Sequence, residues 1–378
     1  MIAVLLLAVV VSWLVCFLLF FFKQFHQKFT SDYVGSGPQK MHHGAIPRIG
    51  GLPIFMGLSA GMVALHFCEF KWNCLPFFIT ILPVWFAGVA EDLTKRVSPL
   101  KRLLAAFASA LIAVWLLDAR IVRLDILVLD HVINSYFAIN VLFVMFAVGG
   151  VTHAMNIIDG FNGLAGVVVV MILSALAYVS YQVGDTFLLG QCVALIGATI
   201  GFLCWNYPRG NIFAGDGGAY LWGFVVAEIS VMLVYRNPTV SPWFPLLLVI
   251  YPVWETIFSI YRRKILRGKP AGLPDAIHLH SLVYKRLVRY MIGSKQAEHM
   301  IRRNALTAPY LWCLAAFSII PAILFWSNTT IIWLFCGLFI LCYCTFYAMI
   351  VRFKIKRWMT VGSASVLRTD DSEVKSNV

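Results

Sequence analysis

The chain is 378 residues long, 61% hydrophobic and only 12% charged, with a formal net charge of +13. A soluble domain carries about 25% charged residues, so this composition excludes a globule bathed in water on all sides and calls for a bilayer. Nucleic-acid binding is the other reading of a basic chain, and the placement of the charges argues against it.

Residues 2–22 are apolar from Ile2 to Phe22, and Lys23 follows the run. A secretory signal has its basic stretch before a shorter apolar core and a small-residue cleavage site after it. Neither feature is present, so 2–22 is expected to be a retained membrane helix. About 20 apolar residues cross a bilayer core as a helix. That rule predicts ten further spans, at 49–67, 75–90, 103–117, 134–153, 163–181, 187–204, 218–235, 243–261, 306–326 and 331–351. The expected fold is therefore all-α and polytopic, with about eleven transmembrane helices. A single membrane domain would cover 1–351, with a large polar loop at 262–305. A basic and then polar tail, expected to be disordered, follows at 352–378. Cys16, Cys68, Cys74, Cys192, Cys204, Cys313, Cys336, Cys342 and Cys344 form no CxxC pair and read as small hydrophobes rather than zinc ligands.

Lys and Arg fix the orientation. With the N-terminus outside, the inner segments hold 26 of the 30 basic residues, leaving Lys71, Arg120, Arg123 and Arg236 outside. The C-terminus then lies in the cytoplasm, and basic loops facing anionic lipid account for the charge. Glu91, Asp92, Asp159, Asp216 and Asp275 all fall at the inner boundary. A carboxylate there is costly without a partner, so each is a functional candidate, and a metal ion or a set of basic residues is expected among them.

Five inner segments carry the chemistry. KMHHGAIPRIGG (40–51) offers Lys40, His42, His43 and Arg48 as phosphate donors beside paired glycines, although a positive-inside anchor would look the same. AEDLTKRVSPLKR (90–102) places Glu91 and Asp92 before Lys95, Arg96, Lys101 and Arg102. Neighbours on a helix point about 100° apart, so one acid can face a site while the other supports it; an exposed acidic turn is the plainer alternative. NIIDGFNGLAG (156–166) sets Asn156, Asp159 and Asn162 on one side of a helical turn. NYPRGNIFAGDGGAYLWG (206–223) flanks Asp216 with glycines at a span start, a position suited to Mg²⁺ and phosphate or to a simple helix cap. RRKILRGKPAGLPDAIHLHSLVYKR (262–286) holds His278 and His280, whose spacing of two suits zinc poorly and phosphate better. Arg262, Arg263, Lys285 and Arg286 add charge there, and Glu255 is placed to brace this basic end.

Together these segments resemble the polyprenyl-phosphate N-acetylhexosamine-1-phosphate transferase family over roughly residues 35–290. The resemblance is nearest the branch that starts O-antigen and enterobacterial common antigen synthesis. It implies catalytic roles for Asp92, Glu91, Asp159, His278 and His280, and a metal role for Asp216. Substrate contacts are implied at Lys40, His42, Asn156, Asn162, Lys101, Asn206, Arg262, Arg263 and Arg286. It further implies Mg²⁺ (with Mn²⁺ as a substitute), a UDP-sugar, undecaprenyl phosphate, membrane lipid around the chain, and a cytoplasmic site in the inner membrane. A homodimer is left open. Three residues depart from the pattern: Glu91 stands where the family usually has aspartate, Asn162 where relatives often have aspartate, and Ser281 where many have a third histidine. The competing class, a transporter, would place its acids near the bilayer midplane, often in repeated halves; here they cluster at one surface.

Overall fold

The computed structural model describes residues 1–32, 46–69, 73–266, 268, 277–288 and 297–352. Lys40, His42, His43, Asp275 and nearly all of the 352–378 tail lie outside the described residues.

The chain runs through α1 (Ile2–Phe21), α2 (Lys23–Thr30), α3 (Gly51–Ala64), α4 (Leu75–Thr94), α5 (Pro99–Leu117), α6 (Leu127–Ser135), α7 (Phe137–Ile158) and α8 (Leu164–Gln182). It continues through α9 (Thr186–Asn206), α10 (Gly215–Arg236), α11 (Phe244–Leu248), α12 (Ile250–Tyr261), α13 (Leu279–Leu282), α14 (Ala297–Leu324) and α15 (Thr329–Val351). Among the described residues, nine helices are long and apolar enough to cross a membrane, and Gly51–Phe67 is a shorter apolar helix. The protein is an all-α polytopic membrane protein. Large apolar side chains such as Trp115, Leu142 and Phe146 stay exposed on its sides, as a lipid-facing surface requires.

The span expected at 243–261 is not one helix: α11 and α12 meet at Val249. Pro252 has no N–H to donate to the carbonyl of Leu248, which removes the bond that would carry one helix into the next. Pro83 sits inside α4 without ending it. The next backbone N–H, that of Val84, instead donates to Ser109 Oγ on α5 (3.1 Å), so a neighbouring helix satisfies a group that lipid could not. The α4 and α7 helices extend to Thr94 and Ile158, past the expected ends, and carry Asp92 and Asn156 within their final turns.

Helix α10 is the axis of the bundle: 89% of its apolar window is buried, against 22% for α1 and 28% for α15. Two sets of loops gather at opposite ends of it. At one end Arg120 donates to Tyr235 Oη, Arg123 to the carbonyl of Val240, and Trp243 Nε1 to the carbonyl of Leu124; Arg236 faces Asp185. At the other end lie Arg48, Asp92, Arg102 and Asp216. The loops read from charge as inner and outer thus separate spatially.

A two-residue antiparallel ladder, β1 (Ser31–Asp32) with β2 (Ile46–Pro47), brings the chain back toward α10. Beyond β2, Phe213 N donates to the carbonyl of Pro47, while Gly50 N and Gly51 N donate to the carbonyls of Phe213 and Ala214. A Cβ on Gly51 would lie 2.5 Å from the backbone of Gly217 and Gly218. The paired glycines therefore let one stretch of backbone lie against another, and Arg48 is carried to the start of α10.

Candidate active site

Asp216 sits in the first turn of α10 and is buried, yet it is compensated twice. Arg48 Nη2 donates to its Oδ1, and Arg102 Nη1 pairs with its Oδ2. Beside it, Asp92 is 1% exposed. Asp92 Oδ1 accepts the backbone N–H of Asp216 and Oδ2 that of Gly217, each at 2.8 Å, and Arg48 Nε lies 3.5 Å from Oδ1. Helix starts leave N–H groups without partners inside the helix, so Asp92 caps α10 from another helix. The positive end of the α10 dipole also favours its charge. Gly215 adopts φ +71°, and a Cβ there would meet the Asp92 carboxylate at 2.5 Å. The Gly-Asp-Gly sequence is what lets two acids sit this close.

Asp159 ends α7 and feels both Arg48 and Asp92 electrostatically. Burial pushes its carboxyl up to about 6, against the pull of the Arg48 guanidinium. Next to it, a Cβ on Gly160 would lie 3.0 Å from His280 Nε2, and the Phe161 ring meets His280 edge-on at 5.5 Å. His280 stacks on His278 (5.2 Å, 19°), and His278 Nδ1 lies 2.9 Å from Glu255 Oε1. Glu255 is fully buried and also accepts from Leu279 N and Tyr343 Oη. Glu255 does brace the histidine loop, as expected. The acids of the 90–102, 156–166 and 206–223 segments and both histidines therefore share one end of the bundle.

Other expected residues have partners of a different kind. Glu91 Oε2 accepts the N–H of Val97 and holds the turn between α4 and α5. Asn162 Nδ2 donates to the carbonyl of Pro208, while its own N–H donates to Asn304 Oδ1 on α14. Asn206 accepts from Gly163 N and donates to the carbonyl of Ile212. Both asparagines tie the 159–163 and 206–212 loops together. Arg262 donates to the carbonyl of Ile277 and to Tyr347 Oη, and Arg286 to the carbonyls of Ile350 and Val351. Asn156 is half-buried near Asp159, Arg263 is buried, and Lys101 is exposed.

Arg102, rather than its neighbour Lys101, enters the site, and Arg48 bridges the two acids; Arg48 was expected as a phosphate donor and Arg102 only as a cation near the acid pair, while the substrate contact was expected at Lys101. Both lay in the segments singled out, but a basic residue on a basic face carries no mark that separates ligand from anchor. Tyr220 and His153 were missed. The Arg102 guanidinium lies over the Tyr220 ring at 5.4 Å, and Tyr220 Oη lies 3.1 Å from His153 Nδ1. Among the described residues no three His, Cys, Asp or Glu side chains form a ready-made metal cluster. Two adjacent carboxylates nevertheless match Mg²⁺, which takes one or two from the protein and the rest of its ligands from phosphate and water.

The family model described as glycosyl transferase family 4 matches residues 74–234. The chain is 28% identical over 253 residues to a probable undecaprenyl-phosphate N-acetylglucosaminyl 1-phosphate transferase of Bacillus subtilis, covering 64% of this chain and 66% of that protein. It is 24% identical over 297 residues to the undecaprenyl-phosphate alpha-N-acetylglucosaminyl 1-phosphate transferase of Escherichia coli K12, covering 74% and 75%. Over 91 residues it is 42% identical to a phospho-N-acetylmuramoyl-pentapeptide-transferase of Clostridium perfringens, covering 24% and 29%. An acid pair set beside Arg102 at one end of a membrane bundle, all three within the matched stretch and Arg48 ahead of it, agrees with these likenesses: the chain is similar to glycosyl transferase family 4 over residues 74–234 and, over a longer stretch, to polyprenyl-phosphate N-acetylhexosamine-1-phosphate transferases.

Proposed function

We propose that the protein transfers an N-acetylhexosamine 1-phosphate from a UDP-sugar to undecaprenyl phosphate at the cytoplasmic face of the inner membrane. A lipid phosphate oxygen forms a bond to the β-phosphorus of the nucleotide sugar. The bond from that phosphorus to the bridging oxygen breaks, and UMP leaves with the bridging oxygen and its electron pair. The observation that carries this reading is the Arg48–Asp92–Asp216–Arg102 group at the lipid boundary. Two anions have to meet, so neutralisation and alignment are the main catalytic tasks. Arg48 and Arg102 are the cations already in place. Asp216, with Asp92 beside it, would hold Mg²⁺ (or Mn²⁺), which when bound offsets diphosphate charge.

Both Asp92 oxygens are engaged by backbone N–H groups. Lipid phosphate, with a second pKa of about 6, is largely dianionic at neutral pH. Direct attack by the lipid phosphate is the simpler route, with Asp92 holding Asp216 in place. N-acetylglucosamine, or a 6-deoxy relative such as N-acetylfucosamine or N-acetylquinovosamine, is the sugar proposed. The product would start an O-antigen or related surface glycan. The test is UMP release by purified protein with undecaprenyl phosphate, Mg²⁺ and a panel of UDP-sugars. Wild type is expected to turn over at least one of them, and Asp216→Asn none. Wild-type turnover by Asp216→Asn ends the metal assignment, and no release with any donor ends the transferase reading.

A further inference from the structure

We propose that Tyr220 and His153 are positioning residues that lock the Arg102 guanidinium on Asp216 and so fix where the nucleotide diphosphate is gripped, a proposal that rests on the transferase reading above. Arg102 comes from α5, Tyr220 from α10 one turn beyond Asp216, and His153 from α7; three helices converge on one cation. Tyr220 is 1% exposed, and its ring lies beneath the guanidinium carbon at 5.4 Å. Its hydroxyl lies 3.1 Å from His153 Nδ1, and the two rings meet edge-on at 5.0 Å and 76°. The ring cannot rotate away without giving up the histidine.

An arginine has five N–H donors in a planar fork. Arg102 Nη1 is on Asp216, while Arg102 Nε is buried and has no hydrogen-bond partner among the described residues. A buried donor without an acceptor is costly, and a phosphate oxygen of the nucleotide would supply one. The cation–π contact with Tyr220 restrains the guanidinium and with it the place of that donor. A lysine at this position would give a point charge without the fork.

The test is a double-mutant cycle in the full-length protein in detergent. Tyr220→Leu, Tyr220→Phe and His153→Gln are each made alone, and Tyr220→Leu is also made in an Arg102→Gln background. UMP release gives KM for the UDP-sugar and kcat, and UDP binding is measured separately by calorimetry. Tyr220→Leu is expected to raise KM and the Kd for UDP about tenfold, the scale of a desolvated cation–π contact. Tyr220→Phe, which keeps the ring, is expected to recover most of that loss, and His153→Gln to fall between. With Arg102 already replaced, Tyr220→Leu is expected to add less than about twofold. Equal losses in both backgrounds, or wild-type Kd and KM in Tyr220→Leu, overturn the proposal. A wild-type protein that binds UDP and releases no UMP counts against the transferase reading, and the UDP cycle still decides the positioning pair.

Discussion

Replacing Asp92 with Asn changes one oxygen to an NH₂ group and removes a charge at almost constant shape. In the wild type both oxygens accept backbone N–H groups at 2.8 Å, from Asp216 and Gly217, in a site only 1% exposed. The asparagine oxygen can serve one of those donors; the other then faces an NH₂ group. Losing one charge-assisted bond and burying its donor unsatisfied costs about 2–3 kcal/mol. The Arg48 contact at 3.5 Å adds less than about 1 kcal/mol, because that side chain is one-third exposed. The sum, about 3 kcal/mol, falls on the first turn of α10, which aims Asp216. Expressed as misplacement of Asp216, it corresponds to about a hundredfold loss of turnover. UMP release gives the rate, and thermal unfolding in detergent reports the stability, which is expected to fall too. Wild-type turnover with an unchanged unfolding temperature in Asp92→Asn would refute the cap.

Three further outcomes follow from the same geometry. Gly160→Ala puts a methyl about 3.0 Å from His280 Nε2; turnover is expected to fall about tenfold with little change in unfolding temperature, and full activity would dismiss the contact. Arg48 holds the Asp159 carboxyl down against burial, which pushes it up to about 6; removing that cation in Arg48→Gln raises it further, so the acid limb of the residual pH–rate profile is expected to move to higher pH, and an unmoved limb counts against Asp159 as its source. At the other end of the bundle Asp118 is held below the ordinary carboxylate range chiefly by its hydrogen bond from Arg120. Whatever stability it adds is present above the unfolded pKa and is lost as pH falls through the lower folded value. Its side chain is 55% exposed, so Asp118→Asn is expected to leave UMP release unchanged and shift stability by less than about 1 kcal/mol.

Much of the fold was legible because a bilayer enforces a coarse rule. Every backbone polar group must be satisfied within the segment, so spans read as apolar runs of one length. The rule gave way where a single residue altered the backbone, as Pro252 does between α11 and α12. It also says nothing of short helices such as α6, which are not built to span. The acids of the site were legible for a similar reason: a carboxylate at an apolar boundary is too costly to be incidental, and Asp92, Asp159 and Asp216 do converge.

Basic and amide residues followed a different logic. On a face already rich in Lys and Arg, choosing Arg102 over Lys101 is a matter of helix rotation, and that is set by packing far from either residue. Asn162 and Asn206 looked like ligands because they are polar among apolar neighbours. At the end of a membrane helix, however, the chain must also satisfy its own freed N–H and C=O groups, and these two side chains do that for the loops on either side of the site. Polarity at the boundary therefore marks two jobs, sealing the backbone and meeting the substrate. At this site charge separates the two jobs better than polarity does, because the amides of Asn162 and Asn206 are used up by loop backbone, whereas Asp92 and Asp216 are met by Arg48 and Arg102.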